Sequence, residues 1–307
     1  MSLKIVFMGT STFAVPILES IYNTSHTILE VYTQPPKKKN RGQKIKNSPI
    51  HDFANKLKLP VRCPVSFKDN NEIDYIKSLN PDLIVVVAYG KIFPEKLLNL
   101  NDLLFINVHA SLLPKWRGAA PIQRAIMNCD KETGISYMKI EEDLDSGPYM
   151  LQVKTLINED TNYKQLNEKL SNIGAKSIIK CLNLIFNNKA KFINQDNSKV
   201  TYAEKIKKSE AKIIWSETAN KIVAKINGLN PFPGAWFEYE NSRFKIIKAK
   251  IIKENSEVPG KVLNNKLLVS CGENAIKILE IQKEGKSVLK IDDFLSGNKI
   301  PIGAKLI

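Results

Sequence analysis

The first half of the chain alternates short apolar runs with segments whose apolar residues recur at helical spacing. Leu3 to Met8 reads as a buried strand, and Gly9 to Thr12 as a turn into a helix beginning near Phe13. Ile28 to Tyr32 predicts a second strand, followed by helices over Ile50 to Lys58 and Asn71 to Leu79. Leu83-Ile-Val-Val-Val87 is an unbroken β-branched run, the pattern of a parallel strand covered on both faces. Phe105 to His109, Gly134 to Ile140 and Met150 to Leu156 predict further strands. Thr161 is placed to cap a long helix reaching Phe186, with Leu166, Leu170, Ile173, Ile178, Leu182 and Ile185 along one stripe. Strand–helix alternation of this kind predicts a doubly wound α/β domain over residues 1–200, with its site at the carboxyl ends of the strands.

The pattern then changes. Thr201 to Lys212 is polar and basic and reads as a linker. Trp215 to Ile226 predicts one helix, capped by Ser216 and ended near Gly228, and Asn230-Pro-Phe-Pro-Gly234 a turn. Short strand-like runs follow at Ala235–Tyr239, Phe244–Ile252, Lys261–Leu263, Leu267–Cys271 and Ile276–Gln282. Short strands separated by Gly, Pro and Asn predict a small all-β, OB-like barrel over residues 213–307, a type that often binds nucleic acid.

Composition narrows the class. A chain of 307 residues, 43% hydrophobic and 25% charged, suits two globular domains. No apolar stretch nears the roughly 20 residues that span a bilayer, and the first residues lack the pattern of a secretory leader. Cys63, Cys129, Cys181 and Cys271 are scattered, which argues against a zinc cluster and for free thiols in a reducing cytoplasm. The expectation is a cytoplasmic monomer with no metal and no membrane partner. The net charge of +15 is carried mostly by lysine, so its clustering says more than its sum. Lys37, Lys38, Lys39, Arg41, Lys44 and Lys46 fall within Gln34–Pro49, a segment without acidic residues that reads as a Pro- and Gly-containing loop. Such a loop would contact phosphates with little base discrimination. Lys205, Lys207, Lys208 and Lys212 would extend that surface.

Candidate chemistry gathers at Asn107-Val-His-Ala-Ser-Leu-Leu-Pro-Lys-Trp-Arg-Gly-Ala-Ala-Pro121. Asn107 and His109 are two residues apart at a strand end, so both reach one small volume. Leu112, Leu113 and Pro114 supply an apolar wall. His26 and His51, the other histidines, sit in a polar turn and at a helix start, which leaves His109 as the proton carrier. Glu141-Glu-Asp-Leu-Asp-Ser-Gly147 is an acidic turn after the strand 134–140. If that strand neighbours 105–109, their carboxyl ends converge and Asp145 stands beside His109, orienting it and favouring its charge. Asn107 would donate to a developing oxyanion and His109 would act as general acid. Ser111 lies near but among apolar neighbours, so direct transfer to an amine fits better than a covalent acyl-enzyme. Gly9 stands without the other glycines of a dinucleotide fingerprint. The residues alone point to a transferase or hydrolase acting at a carbonyl, with a polyanionic partner.

With these residues in view, the chain resembles the methionyl-tRNA formyltransferase family. Asn107 to Gln123 looks like the family signature almost residue for residue. Asp143-Leu-Asp-Ser-Gly147, the basic loop Thr33–Pro49, Thr201-Tyr-Ala203 and Gly228-Leu-Asn-Pro-Phe-Pro-Gly234 match in order. The resemblance implies a formyltransferase-type Rossmann-like domain, 10-formyltetrahydrofolate as donor and the amino group of methionine on initiator tRNA as acceptor. Carried onto matching positions, Asn107, His109 and Asp145 are the catalytic trio, and Ser111, Leu112, Leu113 and Pro114 line the folate site. The loop matching Pro35–Pro49 would enter the acceptor arm, and the barrel would contact the tRNA. Pro36-Lys-Lys-Lys-Asn40 departs from the mixed Arg/Gly segment more usual there, and Lys cannot fork onto a phosphate as Arg does. The competing readings are a formyltransferase acting on a small amine, such as an amino sugar or glycinamide ribotide, and a non-catalytic RNA-binding protein of the same fold.

Overall fold

Strand β1 (Lys4–Gly9) leads through a 3-10 turn at Thr12–Ala14 into helix α1 (Val15–Tyr22) and strand β2 (Thr27–Tyr32). Short strands β3 (Lys37–Lys39) and β4 (Lys44–Lys46) follow, then helix α2 (Pro49–Lys56), strand β5 (Val61–Arg62) and helix α3 (Asn70–Leu79). Strand β6 (Leu83–Val87), helix α4 (Glu95–Leu98), strand β7 (Leu104–His109) and helix α5 (Pro121–Met127) continue the alternation. Strands β8 (Glu132–Lys139) and β9 (Tyr149–Leu156) precede the long helix α6 (Tyr163–Phe186). The computed structural model describes residues 2–39, 44–100, 103–254 and 258–307.

The sheet runs in the order β5-β2-β1-β6-β7-β8-β9. β5, β2, β1, β6 and β7 are mutually parallel, and β6 is buried along its whole length. The chain winds outward from β1 in one direction and from β6 in the other, so the switch point lies between them and marks where a ligand cleft forms. β7 and β8 are antiparallel, with Asn107 opposite Met138 and His109 opposite Ser136. This corrects the expectation of converging carboxyl ends. Asp145 reaches β7 by another route, described below.

Several boundaries shift. Asn162, not Thr161, caps α6: its side chain accepts from the Gln165 N–H while the Gln165 side chain accepts from the Asn162 N–H. The basic segment expected as a loop is partly an antiparallel hairpin, pairing Lys37 with Lys46.

Packing divides the chain into two units. One comprises Met1–Gly118, Gly134–Thr155 and Asn167–Tyr202, and the other Ala119–Thr133, Leu156–Leu166 and Ala203–Ile307. The expected cut at residue 200 is therefore too simple, because α5 and residues 156–166 cluster with the C-terminal part. Nor is 201–212 a free linker. Ala203 and Ala211 are fully buried, and within the second unit Glu210 receives two hydrogen bonds from Arg124 and closes a capping turn on the Lys207 N–H. These contacts hold the Glu210 carboxyl below its usual range.

In the second unit, helix α7 (Ala219–Leu229) is capped by Thr218, whose hydroxyl accepts from the Lys221 N–H. The expected start at Trp215 fails because Trp215 lies before the helix, buried edge-on to Phe237. α7 packs on α5 at Gly228, where a Cβ would stand 2.7 Å from the Met127 side chain. Strands β10 (Trp236–Tyr239), β11 (Ser242–Ile252), β12 (Leu268–Ser270), β13 (Ala275–Lys283) and β14 (Val288–Lys290) form an antiparallel sheet, and helix α8 (Ile291–Gly297) follows. Lys261–Leu263 is not a strand but contributes isolated bridges, Lys261 to Lys305 and Val262 to Val269. The C-terminal segment joins these to the far edge, because Ile307 and Glu238 exchange both backbone hydrogen bonds. Irregular segments thus close the sheet into a small barrel, leaving few unpaired edges.

Candidate active site

β7 ends at His109, and the next residues turn back on themselves. Asn107 and His109 share a face because side chains alternate along a strand. His109 is only 6% exposed. Its Nε2 lies 2.9 Å from the Trp116 carbonyl oxygen, which can only accept, so Nε2 carries the proton. Nδ1 faces Asp145 Oδ2 at 3.6 Å, an ion-pair distance but too long for a direct hydrogen bond.

Asp145 is held from several sides. Oδ2 accepts from the Gly118 backbone N–H at 2.8 Å, and Oδ1 from Asn107 Nδ2 at 3.3 Å. The route is a fold-back: residues 140–148 leave β8 and return to it, with the Lys139 N–H bonded to the Pro148 carbonyl. Gly147 permits that closure, since a Cβ there would meet the Lys139 carbonyl oxygen at 2.2 Å. Asp145 (φ 49°) and Trp116 (φ 62°) both adopt the left-handed conformation, which is costly for residues other than glycine and marks a constrained site.

The brace behind this loop escaped sequence reasoning. Gln195 donates to the Asp145 and Gly147 carbonyls and accepts from Arg117 Nε. Arg117 also donates to Asn197, and the Trp116 N–H to the Thr201 hydroxyl. Gln195 lies 78 residues from Arg117, and nothing in its own neighbourhood signals the contact. The Thr201-Tyr-Ala match was the one hint. Gln195→Leu would strand two backbone carbonyls and the Arg117 Nε, costing about 2–3 kcal/mol. Urea unfolding is the check, and unchanged stability would show that water replaces the side chain freely.

The apolar wall is divided. Ser111 is fully buried and donates to the Lys115 carbonyl, and Leu113 is 3% exposed. Both side chains support the turn from within rather than presenting a surface. Leu112 and Pro114 remain partly exposed. Ser136, opposite His109, donates to the Ser111 carbonyl and accepts from the Leu113 N–H.

At the switch point the Thr10 hydroxyl and Gln34 Nε2 both donate to the Tyr89 carbonyl beyond β6. Ser11 Oγ, in the turn after β1, is buried with no hydrogen-bond partner among the described residues, a polar atom suited to a heteroatom-rich ligand. Lys37 donates to Gln34, which ties the base of the basic hairpin to this cleft. Burial and the nearby Lys37 lower the Lys91 pKa. Lys46 is exposed, Lys38, Lys39 and Lys44 lie on the hairpin backbone, and Arg41 lies outside the described residues. His26 accepts from the Leu3 N–H, and His51 stands 3.5 Å from Cys63. No group of three or more metal-ligating side chains occurs among the described residues.

Comparison with known proteins settles the lineage. Residues 3–182 match the formyl transferase family model and 205–299 the formyl transferase C-terminal domain. The chain is 49% identical over 308 residues to a methionyl-tRNA formyltransferase of Pelagibacter ubique, covering 100% of this chain and 99% of that one. It belongs to the methionyl-tRNA formyltransferase family. A second member of that family, from Parvibaculum lavamentivorans, is 44% identical over 96% of this chain and 97% of its own. Among solved structures, WlaRD, a sugar 3N-formyl transferase, superposes with TM-score 0.69 at 20% identity, covering 94% of this chain and all (100%) of that one. HypX from Aquifex aeolicus in complex with tetrahydrofolic acid gives 0.63 at 13% identity, covering 99% of this chain and 51% of that one. These likenesses speak to the fold, and membership of the family rests on the sequence relatives.

Proposed function

We infer that this enzyme transfers the formyl group of 10-formyltetrahydrofolate to the amino group of methionine on initiator methionyl-tRNA. What carries the reading is the meeting of Asn107, His109 and Asp145 in a chain alike over its full length to methionyl-tRNA formyltransferases. The amine nitrogen attacks the formyl carbon, and the carbonyl π electrons move onto oxygen. Asn107 has a second N–H beyond the one given to Asp145, and that donor together with His109 stabilises the oxyanion. Collapse of the tetrahedral centre breaks the bond to N10, which takes a proton from His109. The ammonium proton passes to Asp145 and from it to His109, which regains the proton given to N10, and the formamide and tetrahydrofolate leave. Leu112 and Pro114, with the turns after β1 and β6, are placed to hold the folate. The lysines of the β3–β4 hairpin would take tRNA phosphates.

This reading makes the enzyme a monomer working in the cytoplasm, where charged initiator tRNA is made and used. Among the described residues no helix is long and apolar enough to cross a membrane.

The test is formylation of charged initiator tRNA, with uncharged tRNA and free methionine as controls. Transfer to the charged tRNA alone is the expected result. Consumption of folate without tRNA formylation would move the acceptor to a small amine. Run as a salt series, tRNA binding should lose about one unit of log–log slope for each of Lys37 and Lys46 replaced by alanine. An unchanged slope would show that the hairpin does not contact the RNA.

A further inference from the structure

A second candidate site lies on the barrel unit, away from the trio in sequence. The Asn230–Gly234 turn, β10, β11 and the β13–β14 turn border a groove of about 480 Å³. Phe232, Trp236, Lys208, Arg243, Lys245 and Glu284 are among its lining residues. Phe232 is 70% exposed, the most exposed phenylalanine among the described residues. The Arg243 guanidinium stacks on the Trp236 ring at 3.9 Å, and Lys212 approaches the same ring at 5.5 Å. Glu238 offsets part of this charge, 3.5 Å from each of Lys212 and Arg243. Arg243 Nε is buried without a hydrogen-bond partner among the described residues. Lys245 runs past Gly234, where a Cβ would stand 3.0 Å from its Cδ. An exposed ring beside a cation-backed ring, with lysines on both borders, is the chemistry of a base-stacking platform that also meets phosphate.

We propose that this groove binds an unpaired nucleotide of RNA, its base stacked on Phe232 and its phosphates met by Lys208 and Lys245. The cation excess calls for an anionic ligand, the volume suits one nucleotide, and the exposed Phe232 ring favours a base over an acidic peptide. A proposal of stacking on the barrel rests on the reading that the substrate is an RNA and extends it by naming where and how the barrel holds it.

The experiment uses the full-length enzyme and fluorescein-labelled hexa-adenylate, read by anisotropy, with the KM for charged initiator tRNA as second readout. Phe232→Ala and Phe232→Leu should each weaken hexa-adenylate binding about 5- to 150-fold, the range for loss of one base–aromatic stack. Phe232→Trp should restore it, and the KM for charged tRNA should rise in the alanine variant. Thermal melting verifies that each variant folds. Wild-type affinity in Phe232→Leu would overturn the proposal, since leucine keeps apolar bulk without a π face. A change in sedimentation with Phe232→Ala and none in RNA affinity would also overturn it and assign the groove to a protein contact. Absence of formyl transfer by the wild-type enzyme would sink the proposed function alone, because hexa-adenylate binding is read independently of it.

Discussion

Replacing His109 by alanine lowers kcat for formyl transfer by about 100- to 10,000-fold, the usual worth of a positioned proton carrier. The geometry explains why no neighbour takes over. His26 bonds the Leu3 backbone and His51 stands by Cys63, which leaves His109 as the imidazole beside Asp145. Its substitution opens a small cavity and leaves the Trp116 carbonyl without its ring donor, so a drop in melting temperature of a few degrees is expected as well. Single-turnover kinetics with saturating tRNA and folate separate the two effects. A folded variant with wild-type single-turnover rate would remove His109 from the mechanism.

Asp145→Asn should cost about 100- to 1,000-fold in kcat, comparable to losing one electrostatic group at a site of developing charge. The argument turns on donors and acceptors. Both Asp145 oxygens accept, one from Asn107 and one from the Gly118 N–H, and the latter also faces His109 Nδ1. An amide of the same size has one oxygen and one NH2, so one side must set a donor against a donor. Asn107 or the Gly118 N–H then turns away, and the imidazolium that gives its proton to N10 loses its counter-charge. Kinetics should show the loss in kcat with a modest change in KM. If instead KM for folate rose and kcat held, Asp145 would be a binding group rather than a partner in proton transfer.

What could be read in advance follows from where the information sits along the chain. β1 and β6 are buried on both faces, so their apolar runs are continuous and unmistakable. β14 is exposed at every residue and β5 is two residues long, and neither carries a pattern. The helix before the barrel was started too early because Trp215 and Ile222 happen to fit helical spacing, whereas the Trp215 ring belongs to the barrel core. Asn107 and His109 were legible from strand alternation alone. Asp145 was legible as turn chemistry, yet the converging strand ends invoked for it do not exist. The fold-back at Gly147 depends on a backbone approach that composition cannot reveal. Gln195 and Arg117 act wholly through contacts far apart in sequence.

The helix α5 follows the catalytic signature directly, yet it packs on α7, with Ile122, Ala125 and Ile126 buried. An ancestral gene fusion joined at residue 200 would have left that apolar surface bare on one partner and the face of α7 around Gly228 bare on the other. The halves of this enzyme therefore cannot be traded as cassettes by recombination at the apparent linker. A new C-terminal module could replace the barrel only by bringing its own cover for α5.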